Sequence, residues 1–343
     1  MQINDSICTV TFPTIALVIL LLAGCNTASS AAELFEEEQE QIVVQRPDGS
    51  DVVALIEKPK GGANLPVILY IDGSGCVSAT REKFTAVQHR PAWAHLASVT
   101  MIVEKPGVTP GAAWGSSCST EFAKYYSIDQ RVFDHLLVFQ YLRGKADWWN
   151  GEIYLVGWSD GAAIGSHVLA YTPEVKKAIL GGMGGGIPMW KQFEDYIFCP
   201  DGSTENRTQC IAGVRENFDK IRNNPSPTKF WSGGDNSYKV WASRLDQVEY
   251  YLLKNATIPM LIMHGELDHD SVPVEAAREL IRKLSADEHK SFEYWEIPNM
   301  GHGIGNLEDE RAEKIRVAMV NWLFDRPPGD GGPPSFGTAK STQ

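Results

Sequence analysis

The segment Gly157-Trp158-Ser159-Asp160-Gly161 follows the apolar run Ile153-Tyr154-Leu155-Val156 and precedes the helix-forming stretch Ala162 to Ala170. A serine held between two glycines where a strand turns into a helix is a nucleophile elbow. The glycines let the backbone pass close by, and the turn lifts the hydroxyl above the sheet. The competing reading is an ordinary turn serine, and the strand-turn-helix context weighs against it. A serine hydroxyl is a poor nucleophile at neutral pH, so it needs a base, and the base needs a carboxylate to orient it. Both residue types follow downstream, each after an apolar strand-like run. Pro259 to Met263 leads into His264-Gly265-Glu266-Leu267-Asp268-His269-Asp270-Ser271-Val272-Pro273, and Phe292 to Ile297 leads into Gly301-His302-Gly303. The chemistry such a set performs is acyl transfer.

These segments need a scaffold, and the hydrophobic pattern supplies one. Gln41 to Arg46 and Val52 to Ile56, joined at Pro47-Asp48-Gly49-Ser50, read as a β-hairpin. Pro66 to Ile71 is a continuous apolar run of the kind a strand covered on both faces requires. From there strands near Val99–Val103, Glu152–Val156, Ala178–Leu180, Pro259–Met263 and Phe292–Ile297 alternate with amphipathic stretches. Helices are expected near Glu82–Ala97, Ile128–Arg143, Gly161–Tyr171, Val274–Leu284 and Glu308–Phe324. That alternation predicts βαβ units and a mostly parallel sheet flanked by helices. The stretch between Leu180 and Pro259 is far longer than a usual connection. It carries Trp190, Phe193, Tyr196, Phe198, Phe230, Trp231, Tyr238 and Trp241. This insertion, residues 183–257, reads as a cap over the site that shapes a substrate pocket; a peripheral satellite core is the alternative.

With the elbow, His264-Gly265-x-x-Asp268, the Val272-Pro273 pair and Gly301-His302 in place, the chain resembles the α/β-hydrolase superfamily over about residues 41–325. The likeness is to its dienelactone-hydrolase-like and prolyl-oligopeptidase-like branches, where the order Ser, Asp, His recurs. The resemblance implies Ser159 as nucleophile, Asp268 as acid and His302 as base. Family members place two residues between the acid and the Val-Pro valine, whereas here His269, Asp270 and Ser271 intervene, so Asp270 stays open as the alternative acid, with Glu266 behind it. An oxyanion needs preorganised N–H donors. One is expected from Asp160, directly after the nucleophile. The resemblance implies the other from Asp72-Gly73-Ser74-Gly75-Cys76, which matches the family's His-Gly-x loop with Asp in place of His, at Ser74 or next at Gly75.

No cofactor and no metal is expected. The His264–Asp270 stretch is rich in potential ligands, but adjacent turn residues do not converge on one ion, and no His-Glu-x-x-His or paired Cys-x-x-Cys accompanies them. Gly181-Gly182-Met183-Gly184-Gly185-Gly186 fits no phosphate-loop spacing; it reads as relief of crowding where the insertion leaves the sheet.

The 343 residues are 43% hydrophobic and 22% charged, ordinary globular proportions, and the formal charge of −12 lacks long like-charge blocks. That excludes phosphate-backbone binding and basic-patch adhesion to anionic membranes. The apolar run from Phe12 to Leu22 ends in Leu22-Ala23-Gly24-Cys25, reading as an export signal over residues 1–24. It resembles the bacterial lipobox, which implies lipidated Cys25 as mature N-terminus and membrane anchor, and Asn26 after it resembles outer-membrane sorting in a Gram-negative envelope. The first eleven residues lack the usual Lys or Arg. Residues 25–40 read as a tether and 326–343 as a disordered tail. Cys76, Cys118, Cys199 and Cys210 then suggest two disulfides with three possible connectivities. The Pro200-Asp201-Gly202-Ser203 turn favours Cys199 with Cys210, leaving Cys76 with Cys118. The function expected is an exported serine hydrolase cleaving carboxylic esters. A serine peptidase of prolyl-oligopeptidase-like type and a non-catalytic surface-anchored binding lipoprotein are the alternatives. The substrate is a small-molecule ester or a peptide, and the sequence leaves oligomeric state open.

Overall fold

A computed structural model of the chain describes residues 37–80, 97–113, 118–200, 206–231, 236–326 and 338–340. The signal, Cys25 and, but for Ala97, the helix expected at Glu82–Ala97 lie outside them. The strands are β1 (Glu37–Gln45), β2 (Asp51–Pro59), β3 (Leu65–Ile71), β4 (Val99–Val103), β5 (Trp149–Trp158), β6 (Val175–Gly181), β7 (Met260–Gly265), β8 (Phe292–Ile297) and β9 (Thr338–Lys340). They form one sheet in the order β1-β2-β4-β3-β5-β6-β7-β8-β9. Pairing is parallel from β4 through β8, and antiparallel for β1 with β2, β2 with β4, and β8 with β9. The fold is thus a mostly parallel sheet with antiparallel pairing at both edges.

The strand interiors are apolar throughout because helices cover both faces. Leu69, Ile71, Leu155, Leu180 and Ile262 join one core with Ile128, Val132, Ile164, Leu280 and Leu284. Their strand neighbours Ile68, Tyr70, Val156, Ile179, Leu261 and Met263 join a second core with Ala312, Ile315, Met319 and Leu323. Alternation by two along each strand sends successive side chains to opposite layers. The helices that supply them are Ile128–Lys145, Asp160–Tyr171 and Val274–Ala286 on the first face and Asp309–Leu323 on the second.

Two boundaries depart from the sequence reading. The hairpin begins at Glu37, so Glu37 to Glu40 are strand rather than tether; Lys58 on β2 bridges Glu38 at 3.1 Å and Glu40 at 2.7 Å, which lets an acidic run pair as an edge strand. Within the segment expected to be a disordered tail, Thr338–Lys340 pairs antiparallel with β8. Residues 327–337 and 341–343 lie outside the described residues.

The insertion between β6 and β7 carries short helices at Met189–Gln192, Tyr238–Ala242 and Tyr250–Leu253, a π-helical turn at Phe193–Phe198 and a longer helix at Arg207–Asn223. Phe193, Phe198, Phe218, Trp231 and Trp241 pack there, mostly edge to face, with ring centroids 5.1–5.4 Å apart. The insertion therefore has its own small aromatic core, and Phe193 and Trp241 also face a cavity shared with Ser159. Disulfides join Cys199 to Cys210 and Cys76 to Cys118. Among the described residues no helix is long and apolar enough to cross a membrane.

Candidate active site

The candidate residues gather at the carboxyl ends of β3, β5, β7 and β8, the edge where open α/β sheets bind ligands. Ser159 follows β5 directly and takes φ 57° and ψ −125° before the helix Asp160–Tyr171 begins. A non-glycine residue there carries strain of about 1–3 kcal/mol, held by its surroundings. The flanking glycine is what makes the turn feasible, because a Cβ on Gly161 would lie 2.0 Å from the Ile71 carbonyl oxygen.

His302 Nε2 lies 2.9 Å from Ser159 Oγ, and His302 Nδ1 lies 2.6 Å from Asp268 Oδ2. Asp268 is buried, and its Oδ1 accepts from the Val272 N–H at 3.1 Å and, more weakly, from Ser271 at 3.3 Å. Burial raises its ionisation range, but the hydrogen bond and charge of His302 outweigh that and hold the carboxyl below its ordinary value. Asp270 is exposed, so of the two aspartates left open by spacing it is Asp268 that meets the histidine. Glu266 points elsewhere and accepts from the Asn299 N–H at 3.0 Å.

The acid and histidine loops are tied to one another. Glu266 N–H donates to the Ile297 carbonyl, Leu267 N–H to Met300 at 2.9 Å, and Trp158 Nε1 to the carbonyl of His302 at 2.9 Å. The Trp158 ring also sits where a Cβ on Gly181 would intrude at 2.2 Å, which explains a glycine at the end of β6. His264 is fully buried, with Nε2–H donating to the Val272 carbonyl at 2.9 Å and burial pushing its pKa down, so it packs as a neutral ring beside Asp268. Among the described residues no three or more His, Cys, Asp or Glu side chains gather closely enough to hold a metal ion.

Ser74 and Asp160 both line the cavity that Ser159 opens into. As first residue of its helix, Asp160 has an N–H without an intrahelical acceptor, available for a developing oxyanion. The Ser74 loop is braced from below. Lys105 is buried, and its Nζ donates to Asp72 Oδ2 at 2.9 Å and to the carbonyls of Gly75 at 3.0 Å and Val77 at 2.9 Å. Burial lowers the lysine's pKa against the opposing pull of Asp72. The Cys76–Cys118 disulfide fastens the same loop to the start of the helix Thr120–Tyr125.

A second buried pair connects the insertion to the elbow. Arg244 donates through Nε and Nη2 to the Asp160 carboxylate, and Tyr126 Oη donates to Asp160 Oδ2 at 2.6 Å. Burial raises the Asp160 carboxyl, and Arg244 and Tyr126 more than reverse it. Sequence reading singled out neither Arg244, Tyr126 nor Lys105. Nothing local in the sequence marks them, because each is paired with a residue distant in the chain.

The cavity, about 120 Å³, is lined by Met183, Met189, Phe193 and Trp241 as apolar walls and by Ser159, Arg244 and Glu249 among its polar ones.

Residues 223–325 match the prolyl oligopeptidase family model, which takes in Asp268 and His302. No curated protein matches the chain significantly. Among solved structures, Est1E from Butyrivibrio proteoclasticus, solved with ferulic acid bound, is 17% identical with a TM-score of 0.57; the match covers 83% of this chain and 100% of that one. The acylaminoacyl peptidase of Pyrococcus horikoshii is 18% identical with a TM-score of 0.57, over 84% of this chain but 42% of that one. A puromycin hydrolase is 13% identical with a TM-score of 0.56, over 85% of this chain and 40% of that one. The chain thus spans all of Est1E and about two fifths of the peptidases. It shares the α/β-hydrolase fold with these structures, and its residues 223–325 are similar to the prolyl oligopeptidase family.

Proposed function

We propose that the protein is an exported hydrolase of carboxylic esters that works through an acyl-enzyme. His302 Nε2 takes the Ser159 proton as Oγ attacks the ester carbonyl, and Asp268 orients the ring and stabilises the imidazolium. The N–H groups of Asp160 and Ser74 receive the oxyanion. The tetrahedral intermediate collapses as the imidazolium gives its proton to the departing alcohol. Water, deprotonated by His302, then attacks the acyl-enzyme, and the acid leaves with Ser159 restored. The observation that carries this reading is the continuous Ser159–His302–Asp268 line, 2.9 Å and then 2.6 Å. Esters are favoured because an alkoxide leaving group asks less of the general acid than an amine.

A peptidase is the second reading, supported by the family match over residues 223–325 and the likeness to the acylaminoacyl peptidase. A fluorophosphonate probe tests the mechanism: it should label the wild type and not Ser159→Ala. Parallel assays on short acyl esters and on chromogenic peptides then separate the two readings, and turnover of peptides alone would reverse the order. Export rests on the lipobox-like Leu22-Ala23-Gly24-Cys25. Metabolic incorporation of labelled palmitate that is lost in Cys25→Ala tests it, and an unlabelled wild type would count against the anchor.

A further inference from the structure

Of the residues lining the cavity around Ser159, three carry ionisable side chains besides the serine's own partners: Asp160, Arg244 and Glu249. Asp160 and Arg244 neutralise one another, and Arg244 Nη1 is also spent, on the Val240 carbonyl at 2.9 Å. Glu249 therefore holds the cavity's one uncompensated charge among the described residues. It is 6% exposed and sits just before the short helix Tyr250–Leu253, where the Tyr250 N–H to Gly185 carbonyl bond of 3.0 Å pins the segment to the cavity floor. Its Oε2 lies 3.6 Å from where a Cβ on Gly185 would stand. The donor that meets the carboxyl is its own backbone N–H, and burial with the nearby charge of Asp160 pushes it up to about 7.

A second group in the same cavity is also short of a donor. Asn236 Oδ1 is buried and has no hydrogen-bond partner among the described residues. A buried carboxylate whose donor is its own backbone N–H, and an amide oxygen with no donor among the described residues, stand together beside apolar walls from Phe193 and Trp241. A neutral acyl chain would add no donor to either, and an anionic one would add repulsion. A compact ammonium brings positive charge and three donors at once.

We propose that Glu249 is a specificity-determining residue whose carboxylate receives a primary ammonium group carried by the substrate near its scissile carbonyl. This rests on Ser159 being the nucleophile of the cavity, and it narrows the substrate class to amine-bearing esters or amides.

The test is equilibrium binding by titration calorimetry to the full chain carrying Ser159→Ala, which removes turnover. The ligands are n-butylammonium, n-butanol and butyrate at about pH 8, where Glu249 is ionised. Butylammonium should bind about tenfold or more tightly than butanol, with butyrate weakest. Adding Glu249→Gln should bring amine and alcohol within about twofold of each other. Glu249→Asp, which keeps the charge, should retain an amine preference, and it decides the matter if the glutamine variant does not fold. Equal affinity for amine and alcohol, no amine binding, or a preference that survives in Glu249→Gln overturns the proposal. Loss of the fluorophosphonate labelling result would instead overturn the hydrolytic reading, because the binding measurement needs no catalysis.

Discussion

Asp268 Oδ2 stands 2.6 Å from His302 Nδ1, while Asp270, two residues further on, is exposed. Asp268→Asn keeps the shape but offers the ring an amide in place of a carboxylate, disturbing the tautomer and the imidazolium. It should lower kcat by about 10⁴-fold. Asp270→Asn should leave kcat within about twofold, as an exposed substitution away from the reacting atoms. Steady-state kinetics on one ester substrate compares the two.

Arg244→Met should be costly for a different reason. It leaves the Asp160 carboxylate buried with Tyr126 as its remaining donor, and breaking a buried ion pair on one side costs about 3–5 kcal/mol. Urea denaturation at neutral pH measures this. Arg244→Met combined with Asp160→Asn should recover most of the loss, since no bare charge remains. A double variant as unstable as the single one would mean that packing rather than charge sets the cost.

Lys105→Met repeats the test beneath the Ser74 loop, where Asp72 would lose its cation and two carbonyls their donor. A stability loss of about 3–5 kcal/mol is expected again. Because Lys105 supports the loop rather than touching substrate, kcat should fall while the pH profile keeps its shape. A changed profile would assign the lysine a direct role.

Glu249 gives stability a pH dependence of known sign. Its carboxyl is raised in the folded protein to about 7 from an ordinary 4.5, so the unfolded chain ionises first. Below about pH 4.5 both states are protonated and the group is neutral to stability. As pH rises from there towards 7 the folded state loses ground, and above about 7 the penalty levels off at roughly 3 kcal/mol. Glu249→Gln should therefore raise Tm at about pH 8 and change it little at about pH 4.5. Thermal melts at the two pH values decide, and a uniform shift at both would detach the effect from ionisation.

The parts of the site that were legible in sequence are those whose signal is local. Ser159 announces itself because strand, turn and helix are contiguous, and His302 because a strand runs straight into Gly-His-Gly. Asp268 was narrowed but left open against Asp270, since chain spacing does not say which carboxylate a loop folds inward; the Val272 and Ser271 N–H groups capping Asp268 make that choice in three dimensions. Lys105 and Arg244 were invisible for the same reason in stronger form. They pair with Asp72 and Asp160 across 33 and 84 residues, and a lysine or arginine in a one-dimensional string looks like any solvated charge. The edge strand from Glu37 was missed because its glutamates read as a polar tether until Lys58 is placed beside them.

The grip of Arg244 on Asp160 also limits how the molecule can breathe. A segment rooted by ion pair to Asp160, the residue after Ser159, cannot swing away as a rigid lid without uncovering that charge. Motions that admit substrate are then confined to parts of the insertion distant from Arg244. Grafting a foreign insertion onto this scaffold would have to import an arginine at the same place, or replace Asp160 along with it.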